Sequence, residues 1–149
     1  MTGWLLIGIA VLAFLFWNLY RQFSADRIAA LCEKRRLSSR IVSRGQFFDG
    51  NRHLDVALAL TRSSFFYENG DMQASIDLQW VNEIEYDTHL GTGAAAVGGK
   101  VLRLRCHSQS FEFVLPEDVV ARWHMMLPPR RGVESVAPAI PELAPAATA

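Results

Sequence analysis

Hydrophobic positions follow three different rhythms along this chain. From Gly3 to Asn18 they run almost unbroken, as WLLIGIAVLAFLFW with hardly a polar atom. Between Ser24 and Leu37 they recur at helical spacing, and from Arg40 onward they alternate with a period of two. A charge-free apolar run of about 18 residues is long enough to cross a bilayer as a helix. In hydrocarbon a helix is also the only local structure that satisfies its own backbone groups. Trp4 stands at one end of the run, and Trp17, Tyr20 and Arg21 stand at the other, where amphipathic and basic side chains settle at the headgroups. Only Met1-Thr2 precede the run, without a charge, and Asn18-Leu19-Tyr20-Arg21 makes a poor cleavage site. Residues 1–20 are therefore expected to be an uncleaved membrane anchor. Gly3, Gly8, Ala10 and Ala13 give it small faces suited to helix packing.

Charge on the flanks sets the expected orientation. No Lys or Arg precedes the span, whereas Arg21, Arg27, Lys34, Arg35, Arg36, Arg40 and Arg44 follow it. The positive-inside tendency puts the N-terminus outside and the body of the chain in the cytoplasm. Two cysteines, Cys32 and Cys106, agree, because a small exported domain is more often stapled by disulfides. Residues 21–39 read as a basic helical neck. Ser24 is the expected N-cap, Asp26 lies in the first turn, and Ile28, Leu31 and Cys32 form one apolar face that is expected to pack on the domain beyond.

The period of two then predicts strands. A first is expected over about Val42–Phe48, turning at Asp49-Gly50-Asn51, and a second where Leu54, Val56, Leu58 and Leu60 alternate with Asp55, Ala57 and Ala59 as in a half-buried strand. Ser64–Tyr67 reads as the next, and Asn69-Gly70 as a hairpin turn into Met72–Leu78. Val81–Asp87, then Val101–His107, then the alternation of Phe111, Phe113 and Leu115 after a Ser108-Gln109-Ser110 turn bring the expected total to seven strands. Antiparallel pairing of the fifth and sixth strands would set Glu85 opposite Arg103 and Glu83 opposite Arg105. A helix follows, opened by Pro116-Glu117-Asp118, striped with Val119, Val120, Trp123 and Leu127, and stopped by Pro128-Pro129.

With these residues in place, Val56–Thr61 followed by Phe65-Phe66-Tyr67 resembles the L-x-L-T-x-x-x-L-x-F pattern of the pleckstrin-homology-like superfold, in particular its bacterial GRAM-type members. Ile76-Asp77-Leu78 with Val81–Ile84, and Phe111-Glu112-Phe113 with Pro116 and Trp123, are similar to the later strands and capping helix of that family. The resemblance covers about residues 42–128 and rests on apolar spacing. It implies a mainly β fold: a seven-stranded antiparallel bent barrel capped by one C-terminal α-helix, here over residues 40–129. It carries no activity by itself. Many family members bind phosphoinositides around the first hairpin. The resemblance thus makes Arg35, Arg36, Arg40, Arg44 and Arg52 the candidates for lipid headgroups, with His53 beside them.

Net charge is zero, but it is unevenly spread. Residues 21–44, the neck and the start of the first strand, carry +5 and residues 45–129 carry −5, so the former favour anionic lipid and the body is repelled by nucleic acid. Gly91, Gly93, Val97 and Gly98 lie in a glycine-rich stretch that matches no nucleotide template, because Lys100 leads into a strand rather than a helix. It reads as a flexible connection, with a partner-docking loop as the functional alternative. Glu83, Glu85 and Asp87 spread over roughly 13 Å of strand, too far for one ion. No His/Cys spacing suits a metal, and no nucleophile has a recognisable base. Trp80 and Trp123 are expected in the core. Residues 130–149 read as a disordered Pro/Ala-rich tail. The expectation is a non-enzymatic, single-pass inner-membrane protein without cofactor, small-molecule substrate or nucleic acid. Its cytoplasmic domain binds or scaffolds a protein partner, with anionic-lipid or phosphoinositide sensing as the alternative.

Overall fold

A computed structural model describes residues 2–50 and 52–131, with side chains from Ile7 onward. Helix α1 (Thr2–Arg36) is continuous over 35 residues. The expected restart at Ser24 is therefore corrected: residues 9–36 contain no Gly or Pro, and a lone serine costs too little helix propensity to break the ladder. The first half of α1 is bare, with Phe14, Phe16, Trp17 and Tyr20 exposed, and the helix is long and apolar enough to cross a membrane. Its second half is packed. Ile28 is buried, and Leu31, Cys32 and Arg35 continue the same stripe half-buried.

The strands are β1 (Ile41–Asp49), β2 (Arg52–Leu60), β3 (Ser64–Glu68), β4 (Gln73–Asp77), β5 (Glu83–Asp87), β6 (Gly99–Cys106) and β7 (Gln109–Pro116), followed by helix α2 (Glu117–Met126). They form one seven-stranded antiparallel sheet in the order β4-β3-β2-β1-β7-β6-β5. One continuous apolar core gathers Leu58 and Leu60 of β2, Phe65 of β3, Leu102 and Leu104 of β6, Phe113 and Leu115 of β7, and Trp123 of α2. Strands from both ends of the order meet in that core, so the sheet is bent around it. Phe65 touches both Phe113 and Trp123, with centroids at 4.8 and 5.6 Å. Trp123 Nε1 donates to Ser43 Oγ at 2.8 Å, which ties α2 to β1 and leaves neither buried polar group unpaired.

Several expectations change in detail. Residues 56–60 of β2 are all buried rather than alternating, because α1 covers the face that Ala57 and Ala59 present. Trp80 is exposed on a short 3₁₀ turn (Leu78–Trp80), with its ring 5.7 Å from that of His107, so it is not a core residue. The β6–β7 turn sits at His107-Ser108 with His107 at φ 53°, one step earlier than expected, and β7 already begins at Gln109. At the β3–β4 turn Asn69 Oδ1 accepts the amides of Asp71 and Met72 at 2.9 and 2.8 Å. Gly70 is not at positive φ; its missing Cβ instead makes room for Arg27. The stretch between β5 and β6 is ordered, not slack. Leu90 and Ala96 fold back onto Val101, Val114 and Phe48 on the outside of the sheet. Arg130 exchanges backbone hydrogen bonds with Ile84 at 2.7 and 3.0 Å, so the domain runs past residue 129. Of the tail expected over 130–149, residues 132–149 lie outside the described residues, as do Asn51 and the side chain of Trp4.

Candidate functional site

The site begins with how the neck is fixed. Arg35 reaches from the last turn of α1 to Glu68 at the end of β3, with Nε–Oε1 at 3.0 Å and Nη2–Oε2 at 3.1 Å. Its guanidinium also lies 4.4 Å from the centroid of the Phe66 ring. Such a fork plus stacking is a geometry that lysine cannot reproduce. The hydrogen bonds that Arg35 donates to Glu68 raise its pKa further above the ordinary value. Arg35 is therefore a clamp between helix and sheet and is not free for a headgroup.

Beside this clamp lies an open groove of about 490 Å³ between the end of α1, the start of β1 and α2. Arg36, Arg40, Arg44 and Arg122 line it, with Glu33 as the opposing carboxylate. Glu33 pairs with Arg36 at 2.9 Å on the surface, where such a pair contributes little. Arg40, Arg44 and Arg122 are exposed and make no side-chain hydrogen bond among the described residues. Cys32 Sγ contacts Ser43 O at 3.6 Å, and burial pushes its thiol above the ordinary range, so it is protonated at neutral pH. Ser39 Oγ, also in the groove wall, is out of solvent contact and has no hydrogen-bond partner. The floor is stiff, because Ser43 is held by Cys32 through its carbonyl and by Trp123 through its hydroxyl.

The headgroup candidates are thus split. Arg36, Arg40 and Arg44 meet in this groove, whereas Arg52 stands at the tip of the β1–β2 hairpin, opposite Asp49. Arg122 was not singled out in the sequence. Its only signal is that it precedes Trp123, whose burial fixes that side of α2.

The hairpin tip belongs to a different surface. Trp17, Tyr20 and Phe23 of α1 form a cleft with His53 and Leu54 of β2 and with the Asn69–Asp71 turn. The tips of both hairpins therefore sit beside the aromatic collar of α1. From Tyr20 to Arg36 the axis of α1 advances about 24 Å at about 1.5 Å per residue. The arginine groove lies at the far end of the domain from that collar.

In the β5–β6 loop, Gly93 and Gly98 adopt φ of +85° and +74°, and the Gly91 amide donates to the Glu112 carboxylate at 2.9 Å. These glycines serve turns and a cap, and Val97 is the apolar side chain turned fully outward. The register sets Glu83 opposite Arg105 and Glu85 opposite Arg103, as expected. Arg103 goes further than a surface pair. It is buried and gathers Glu112 at 2.8 Å, Glu85 at 2.9 Å and Asp87 at 3.6 Å, while donating to His89 O. No group of His, Cys, Asp or Glu among the described residues is arranged to hold a metal ion.

The chain matches no family model, no curated protein and no solved structure.

Proposed function

We propose that this chain is a non-catalytic, single-pass membrane protein whose pleckstrin-like, GRAM-type domain holds a protein partner at the cytoplasmic face of a bacterial inner membrane. A small accessory subunit of a membrane complex would be built this way. One observation carries the reading: the apolar helix and the helix that packs on the sheet are the same uninterrupted α1, locked by Arg35 to Glu68. A lipid-binding domain on a slack tether can turn to find its headgroup. This domain turns only with its anchor, and so presents a fixed set of surfaces at a fixed height. Confinement to a thin layer in one orientation raises the effective concentration toward another membrane protein without any new contact. The sheet order and the capping helix support the pleckstrin-like resemblance, and the basic neck supports the cytoplasmic orientation.

Anionic-lipid or phosphoinositide sensing is the second reading. It is favoured by Arg52 and His53, which share the end of the domain that carries Trp17 and Tyr20. Photo-crosslinking residues at positions 44, 97 and 52 of the full chain, in native membranes, separate the two. Protein adducts at 44 or 97 with lipid adducts at 52 are expected. Lipid adducts at all three positions would favour the sensing reading and end the protein-module one.

A further inference from the structure

We infer that the arginine groove is a docking site for an extended acidic segment of a partner protein. The inference rests on the protein-module reading and names the surface and the chemistry of the partner.

Like charges gather at a cost, and the body of this domain is acidic, yet here four arginines from α1, the α1–β1 connection, β1 and α2 line one groove against a single Glu33. Arg40 and Arg44 have alternate residues between them on one face of the extended backbone, about 13 Å apart at about 3.3 Å per residue. That spacing suits a run of carboxylates along an extended chain better than one compact phosphate. Each guanidinium can fork onto a carboxylate. β1 pairs with β2 along its whole length but with β7 only from Gln46 to Phe48. One edge of Ile41–Arg44 therefore has no strand partner, and these residues line the groove. Added strands dock at such edges through backbone hydrogen bonds while side-chain sites give specificity.

Position decides against lipid. The groove runs along α1 from Ala29, about 14 Å from Tyr20, to Arg36, about 24 Å from it, so its far end with Arg36 and Arg40 stands clear of headgroups in the bilayer that anchors the helix. A soluble or membrane-bound protein can meet it there.

The test uses the full chain in neutral-lipid nanodiscs at physiological salt. The probes are a fluorescent octaglutamate peptide, an octaglutamine peptide of the same length, and soluble inositol trisphosphate. Octaglutamate is expected to bind, octaglutamine not to, and added salt to weaken the binding. The pair Arg40→Ala with Arg122→Ala should weaken octaglutamate at least tenfold, as expected for losing charge-assisted hydrogen bonds, while Arg52→Ala changes it less than twofold. Unchanged near-ultraviolet dichroism shows that the variants are folded, and Arg44→Lys, which keeps the charge but loses the fork, should fall between. Equal binding of both peptides, or equal loss with Arg52→Ala, would overturn the inference. Tighter binding of inositol trisphosphate than of the peptide would also overturn it and make the groove a phosphate site. Protein adducts at position 44 with no octaglutamate binding would remove the acidic-segment inference alone and leave the protein-module reading standing.

Discussion

Replacing Arg35 with Met tests the clamp that joins anchor to domain. The substitution keeps much of the side-chain volume but strands the Glu68 carboxylate, which is 4% exposed where Arg35 is 18% exposed. Breaking a buried pair by removing one partner costs about 3–5 kcal/mol, and the partial exposure of Arg35 argues for the lower end, about 3 kcal/mol. Loss of the contact with Phe66 is included in that figure, at about 0.5–1 kcal/mol. Arg35→Lys keeps the charge without the fork and should recover about half. The double replacement Arg35→Met with Glu68→Met removes both charges and should come back to within about 1 kcal/mol of the parent, since a well-packed apolar pair often matches a buried ion pair. Urea unfolding of the detergent-solubilised chain gives the three values. Hydrogen exchange of amides 28–36 shows whether the packed half of α1 undocks first. A single replacement costing less than about 0.5 kcal/mol, or a double no more stable than the single, would refute the reasoning.

The other predictions are local. Trp123→Phe removes the donor to Ser43 Oγ and leaves a gap between α2 and β1; a loss of about 2–3 kcal/mol in thermal unfolding is expected, against about 1 kcal/mol for Ser43→Ala. Gly99→Ala should fail to fold or lose β6–β7 pairing, because the new Cβ would fall 2.0 Å from the Leu115 carbonyl oxygen, whereas Gly98→Ala, at φ +74° in open space, should cost about 1–2 kcal/mol. Far-ultraviolet dichroism with expression yield separates the two. Burial raises the thiol pKa of Cys32, so at pH 8 it should react with iodoacetamide more slowly in the folded chain than in the urea-unfolded chain. The sign follows: a raised thiol pKa is a contribution to stability that is present below the unfolded value and is lost as pH rises through the folded one, so folding should weaken above about pH 9.

How much of this was legible depended on how local the signal was. The pairing of Glu83 with Arg105 could be read from the chain because a period of two and a connecting loop nearly determine register. The stripe of Ile28, Leu31 and Cys32 announced that the neck packs on something, and it does. What it packs on was not legible: α1 covers β2, and the resulting burial of Ala57 and Ala59 erased the alternation that had marked that strand as half-exposed. The same docking makes the neck rigid and turns Arg35 from a headgroup candidate into a clamp. Arg122 joins Arg40 and Arg44 across a long sequence separation, and no spacing rule carries such a meeting. Trp80 looked like core because tryptophans usually bury their area, but its short 3₁₀ turn packs Leu78 against the core and leaves Trp80 outside.

In the proposed arrangement the domain rides rigidly on its anchor, with the hairpin tips at the bilayer and the far end of the arginine groove away from it. Single fluorophores at positions 53 and 40 of the full chain, reconstituted in vesicles with headgroup-attached quenchers, measure both heights in one assay. Strong quenching at 53 and little at 40 is the predicted result. Equal quenching at the two positions, or stronger quenching at 40, would contradict the account.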